Sequence, residues 1–161
     1  MKIKTIKTNF GDSIEGLFII QPEIFEDDRG YFYESFNKKK FSNSFGEIEF
    51  IQENHSFSRK GVLRGMHFQV PPFGQGKLVE CISGSVLDVV IDLRKESKTF
   101  LSWVSIELSE KNHTQLWIEK GFAHGFYTLS DSAHLIYKID NLWNPKACLL
   151  YTSDAADDQA C

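Results

Sequence analysis

Apolar and polar residues change places along this chain at short intervals, and the recurring period is two. Trp103 to Leu108 shows it best: Val104, Ile106 and Leu108 share one face while Trp103, Ser105 and Glu107 share the other. Leu78–Ile82, Val86–Leu93, Gln115–Ile118, Gly125–Leu129 and Ala133–Ile139 are further β-rich runs. Turn-forming clusters separate them, among them Phe10-Gly11-Asp12-Ser13, Asp27-Asp28-Arg29-Gly30, Ser58-Arg59-Lys60-Gly61, Pro71-Pro72-Phe73-Gly74 and Ser109-Glu110-Lys111-Asn112. Ser83-Gly84-Ser85 stands between two of the runs, which predicts a hairpin there. The helical period is found in one short stretch, Asn37 to Phe45, with Phe41 and Phe45 at i and i+4. Many short strands with regular turns predict an all-β sandwich or barrel rather than a βαβ fold.

Composition agrees with one packed domain. The chain has 161 residues, 42% hydrophobic and 14% aromatic, which is enough for a core and excludes wholesale disorder. The 14 phenylalanines suit a barrel whose interior is lined by rings. Lysine plus arginine total 18 and aspartate plus glutamate 22, a net charge of −4 that argues against nucleic-acid or polybasic membrane partners. A local basic pocket for a small anion stays open. No apolar run reaches the roughly 18 residues of a membrane span. The first ten residues are basic and polar and do not read as a signal peptide. Cys81, Cys148 and Cys161 are few, odd in number and far apart, so neither a disulfide framework nor a zinc pattern is expected. The chain reads as a cytoplasmic protein.

Three clusters could carry chemistry: Gly61 to Gln69 with Gln75-Gly76-Lys77, Glu119 to Phe126, and Tyr137-Lys138. A catalytic metal needs about three protein ligands. The residue that follows His67 on its own strand face is the amide Gln69, and Lys77 would repel a cation. His113 and His134 stand in polar, turn-like sequence and are expected to face solvent. No metal or cofactor is therefore expected. Without one, His67 is suited to proton transfer, Lys77 to stabilising an enolate, and Tyr137 to returning a proton from another side. Taken singly, each also has an ordinary structural reading: a satisfied barrel histidine, a snorkelling lysine, a core tyrosine. Simple alternation puts Gly65, His67 and Gln69 on one face and Arg64, Met66 and Phe68 on the other, so Arg64 joins His67 only through a strand end or a bulge.

The blocks Phe25–Ser35, Gln52–Ser56, Val62–Gln69, Gln75–Val79, Gln115–Ile118, Gly121–Phe126 and Tyr137-Lys138, in this order, resemble the dTDP-4-dehydrorhamnose 3,5-epimerases, cupin-type jelly-roll enzymes. The resemblance runs from about Ile14 to Pro145. It implies cofactor-independent epimerisation at C3 and C5 of dTDP-4-dehydro-6-deoxy-D-glucose. His67 then matches the general base, Tyr137 the general acid and Lys77 a lysine beside the sugar. Arg29, Glu34, Gln52, Asn54, Arg64 and His124 match substrate-contacting positions, and Trp143 an aromatic that stacks on thymine. It also implies a homodimer with a crossing N-terminal segment, in which Arg29 and Glu34 serve the other subunit's site. Related enzymes epimerise one carbon or move the ketone, and a jelly roll that only binds the nucleotide sugar is a further alternative.

One segment departs from the resemblance. Cys148 to Asp158 lacks strand patterning and reads like translated sequencing adapter, so residues 1–147 are expected to be an incomplete epimerase domain and 148–161 a non-native tail. The family carries an aspartate paired with the base histidine in its C-terminal stretch, and Asp154, Asp157 and Asp158 are not assigned to that role. A base histidine lacking its carboxylate partner is expected to be weaker and less oriented.

Overall fold

A computed structural model describes residues 1–150, and the side chains of 1–148. The strands in chain order are β1 (Lys2–Lys7), β2 (Ser13–Gln21), β3 (Ile24–Asp27) and β4 (Gly30–Tyr33). Helix α1 (Lys38–Phe45) is followed by β5 (Gln52–Arg59), β6 (Leu63–Gln69), β7 (Lys77–Ser83), β8 (Ser85–Asp92) and β9 (Trp103–Ser109). The chain continues through β10 (Gln115–Ile118), β11 (Phe122–Thr128), β12 (Ser132–Ile139) and β13 (Cys148–Leu150). A six-stranded antiparallel sheet in the order β1-β2-β10-β7-β12-β5 faces a five-stranded one in the order β13-β6-β11-β8-β9. The two form a jelly-roll sandwich, and β3 and β4 make a separate hairpin.

Helix α1 forms where the short helical period predicts it. Asn37 caps it by accepting from the Lys40 amide at 3.1 Å, and Gly46, at φ +84°, ends it.

The hairpin expected at Ser83-Gly84-Ser85 is not formed. Both edges of β7 are hydrogen-bonded, to β10 and β12, and both edges of β8, to β11 and β9. A strand has two such edges, so β7 and β8 cannot also pair with each other. The turn instead carries the chain from one sheet to the other. Gly84 suits this crossing: its φ is +76°, and a Cβ there would lie 2.1 Å from the Ser132 carbonyl oxygen.

Two cores lie on opposite faces of the six-stranded sheet. Between the sheets the filling is largely aliphatic, with Leu17, Val79, Val86, Val90, Leu108, Leu116, Ile118 and Leu135 beside Phe122 and Phe126. The expected ring-lined interior is therefore corrected. Most packed rings lie outside the sandwich, where α1 covers the sheet: Phe18, Phe36, Phe41, Phe45 and Phe50 gather around Trp117. Trp117 meets Phe41 edge-on at 5.1 Å and Phe50 at 5.7 Å. Face-to-face sheets leave a gap of about 10 Å that β-branched and leucine side chains fill, whereas the wedge under a helix takes larger groups.

At one end Asp92 is fully buried and accepts from Arg94 Nε (2.9 Å), Ser97 Oγ (2.7 Å) and Thr99 Oγ1 (2.7 Å). These donors hold its pKa down to about 2 against the effect of burial. Cys148–Leu150, read from sequence as lacking strand patterning, pairs with Gln69, Phe68 and His67 of β6. Residues 151–161 lie outside the described residues, and Cys148 is disulfide-bonded rather than unpaired.

Trp117→Ala empties the centre of the outer aromatic core. Its expected cost is about 3–5 kcal/mol, measured by urea unfolding, with α1 losing amide protection before the two sheets do.

Candidate active site

The candidate residues converge because two facing strand faces carry them. On the six-stranded sheet Lys77 (β7), Tyr137 (β12) and Gln52, Asn54 and Ser58 (β5) share the inward phase, as the pairings Tyr137↔Val79 and Tyr137↔Asn54 require. On the five-stranded sheet His67 lies directly opposite His124. Both imidazoles are buried, with 7% and 8% exposure.

Arg64 reaches the same space through the bulge that alternation demands. The pairs His124↔His67 and Phe126↔Arg64 are two residues apart on β11 but three apart on β6, so β6 holds one extra residue. The phase resets, and Arg64 Nε donates to Ser58 Oγ at 2.9 Å across the sandwich. Gly65 sits at φ +116°, and a Cβ there would lie 2.6 Å from Gly125 Cα. The bulge therefore depends on glycine on both strands.

The electrostatics follow from this crowding. Burial, with the cations Lys77 and Arg64 and the His124 ring nearby, lowers the His67 pKa to about 4. His67 Nε2 has no hydrogen-bond partner among the described residues. The imidazole is therefore neutral at pH 7 and a weak base. Burial lowers the Lys77 pKa to about 8, with Asp88 acting in the opposite direction. Burial raises that of Tyr137, while the neighbouring Asn54 side chain and the Arg64 guanidinium oppose the rise. His124 Nε2 lies 2.8 Å from Asp88 Oδ2, and Asp88 is fully buried.

The remaining candidates take other positions. Gln52 Nε2 donates to Asn54 Oδ1 at 2.7 Å, which orients that amide beside Tyr137. Trp143 is exposed, on a segment tied back by Gln69, which donates to Phe73 O (2.8 Å) and accepts from Asn144 N (2.7 Å). Arg29 and Glu34 are not gathered with His67. Arg29 is at the exposed tip of the β3–β4 hairpin and pairs with Asp27, and Glu34 pairs with Lys40 at 2.8 Å. His113 and His134 are half-buried rather than solvent-facing. The first packs on Tyr31 and Tyr33, and the second bonds His55 at 2.9 Å. Asp88 was not singled out from sequence. Its signal was there: in Val86-Leu87-Asp88-Val89-Val90 the carboxylate occupies the inward, apolar phase.

A jelly-roll sandwich with a buried polar cluster between its sheets is the architecture of the cupin-type sugar-nucleotide epimerases. The chain belongs to the dTDP-4-dehydrorhamnose 3,5-epimerase family, whose family model matches residues 12–157. The dTDP-4-dehydrorhamnose 3,5-epimerase of Shigella flexneri is 50% identical over 143 residues, covering 88% of this chain and 77% of that protein. A crystal structure of the Legionella pneumophila epimerase in complex with dTDP-4-keto-L-rhamnose superposes with a TM-score of 0.84 at 43% identity, covering 97% of this chain and 81% of that one. A 3'-monoepimerase from Streptomyces bikiniensis in complex with dTDP-quinovose gives a TM-score of 0.82 at 32% identity, covering 90% and 74% of the two chains.

The depressed pKa of His67 has a stability consequence with a defined sign. Between about pH 4 and 6.5 the unfolded chain binds the proton that the folded imidazole refuses, so stability falls as pH drops through that window. Subtracting the urea-unfolding curve of His67→Gln from that of the parent isolates the effect, expected to reach about 3 kcal/mol at its acid end.

Proposed function

We propose that this protein epimerises C3 and C5 of dTDP-4-dehydro-6-deoxy-D-glucose, with residues 1–147 as the catalytic domain. The reading is supported by the inward placement of His67, Lys77 and Tyr137 on facing sheets, where the Lys77 charge acts on His67 and the Arg64 charge acts on both His67 and Tyr137. The 4-keto group acidifies the adjacent C–H bonds. Neutral His67 takes the proton from carbon, and the electron pair moves onto the ketone oxygen. The Lys77 ammonium stabilises the resulting enolate. Tyr137 delivers a proton to the opposite face of the same carbon, and the ketone re-forms. If the ring turns over between rounds, the same groups serve both carbons.

Arg64, His124, Gln52 and Asn54 are assigned to holding the substrate, with a guanidinium suited to the diphosphate. Trp143 is assigned to stacking on thymine. We also assign a homodimer in which Arg29 and Glu34 act in the partner's site, a reading supported by the position of Arg29 at the exposed tip of the β3–β4 hairpin, with Glu34 just past the end of β4 and half-exposed. A cytoplasmic setting goes with this substrate. The similarity to a 3'-monoepimerase favours one alternative, epimerisation at a single carbon.

Turnover in D₂O distinguishes these readings: deuterium is expected at both C3 and C5, label at one carbon selects the alternative, and label at neither removes both. Tyr137→Phe is expected to lower product formation about 10²–10⁴-fold while exchange at carbon persists, because proton removal precedes its step. For the dimer, mixing inactive Arg29→Ala and His67→Asn subunits is expected to restore activity, since a mixed dimer has one site with both native residues. No recovery on mixing would place Arg29 outside the partner's site.

A further inference from the structure

Asp88 is a fully buried carboxylate for which the mechanism above has no use. It lies on the inward face of β8, two residues from Val86 and from Val90, both fully buried. One oxygen, Oδ2, is 2.8 Å from His124 Nε2, and the other, Oδ1, has no hydrogen-bond partner among the described residues. A carboxylate taken out of water in this way is expensive unless charges around it compensate. The groups that face this space are His67 and Arg64 from β6, Lys77 from β7, His124 from β11 and Tyr137 from β12. Asp88 is the acidic group among them that acts on the Lys77 ammonium.

We propose that Asp88 is a positioning residue: it fixes the His124 ring through Nε2, leaving Nδ1 for the substrate, and it is the counter-charge that keeps Lys77 cationic between the sheets. The carboxylate accepts, so His124 Nε2 carries the hydrogen, and in the neutral ring Nδ1 presents a lone pair. Across the gap, the same negative charge offsets the loss of water around Lys77, which needs its proton to stabilise an enolate. One buried residue thereby sets the tautomer of a binding group and the charge of a catalytic one. This rests on the function proposed above.

The test is Asp88→Asn, which keeps shape and removes charge, with circular dichroism and thermal unfolding reporting the fold. The Lys77 titration is followed directly by its ¹³Cε shift, assigned with Lys77→Met. Its midpoint is expected to fall by about one pH unit or more, and the alkaline limb of the rate profile to fall with it, so that activity drops about fivefold or more at pH 8 and hardly changes at pH 6. A midpoint and limb that stay in place, or a loss equal at every pH, would overturn the proposal and leave Asp88 a packing residue. Should Asp88→Asn not fold, the ¹⁵N shifts of His124 in the parent chain decide: protonated Nε2 with bare Nδ1 is expected, and the reverse tautomer overturns it. Absence of deuterium in the substrate would sink the epimerase reading alone, because both NMR readouts are independent of turnover.

Discussion

Two antiparallel sheets packed face to face bury His67, Lys77 and Tyr137 between them, and the altered proton affinities of these groups follow from what that burial does to charge. His67 remains neutral there because a proton on it would be desolvated and would face Lys77 and Arg64. Lys77 holds its proton less tightly than a surface lysine for the same reason. Neither effect comes from a single contact. Both come from polar groups placed on inward phases that aliphatic side chains otherwise occupy.

The fold keeps this arrangement by dividing its apolar material. Aliphatic side chains close the sandwich at a uniform spacing, while the large rings are set outside it around Trp117 and α1. The six-stranded sheet is therefore packed on both faces. Its central strand β7, which begins at Lys77, is hydrogen-bonded along both edges and buried for most of its length. Lys77 thus projects from one of the most constrained parts of the molecule. Tyr137 comes from the neighbouring strand β12, itself flanked by β5 and β7.

Polar side chains behind the site act through a few defined bonds. Gln69 links β6 to the segment carrying Trp143, and Gln75 Nε2 binds Asn141 O at 2.9 Å nearby. On the outer face, buried Glu80 accepts from Tyr33 Oη and from Gln115 Nε2, and Gln115 also donates to Ser35 O at 2.8 Å. Through Glu80 and Gln115 the base of the β3–β4 hairpin is fastened to the six-stranded sheet, while its tip, with Arg29, stays exposed.

Local pattern determined much of this protein. Alternation in Trp103–Leu108, the apolar spacing of Asn37–Phe45, and the turn clusters were legible because each depends on neighbours in the chain. His67, Lys77 and Tyr137 stood out by residue type within β-rich stretches and by their ordered motifs. What pattern could not supply was pairing. That Ser83-Gly84-Ser85 crosses between sheets depends on which distant strands already occupy the edges of β7 and β8. That Arg64 faces inward depends on one extra residue in β6 measured against β11. Asp88 becomes meaningful once β11 brings His124 to it from 36 residues away. A strand's two faces are written along the chain, but the face it meets across the sandwich is chosen only when the sheets assemble, and that choice set the charges of the site.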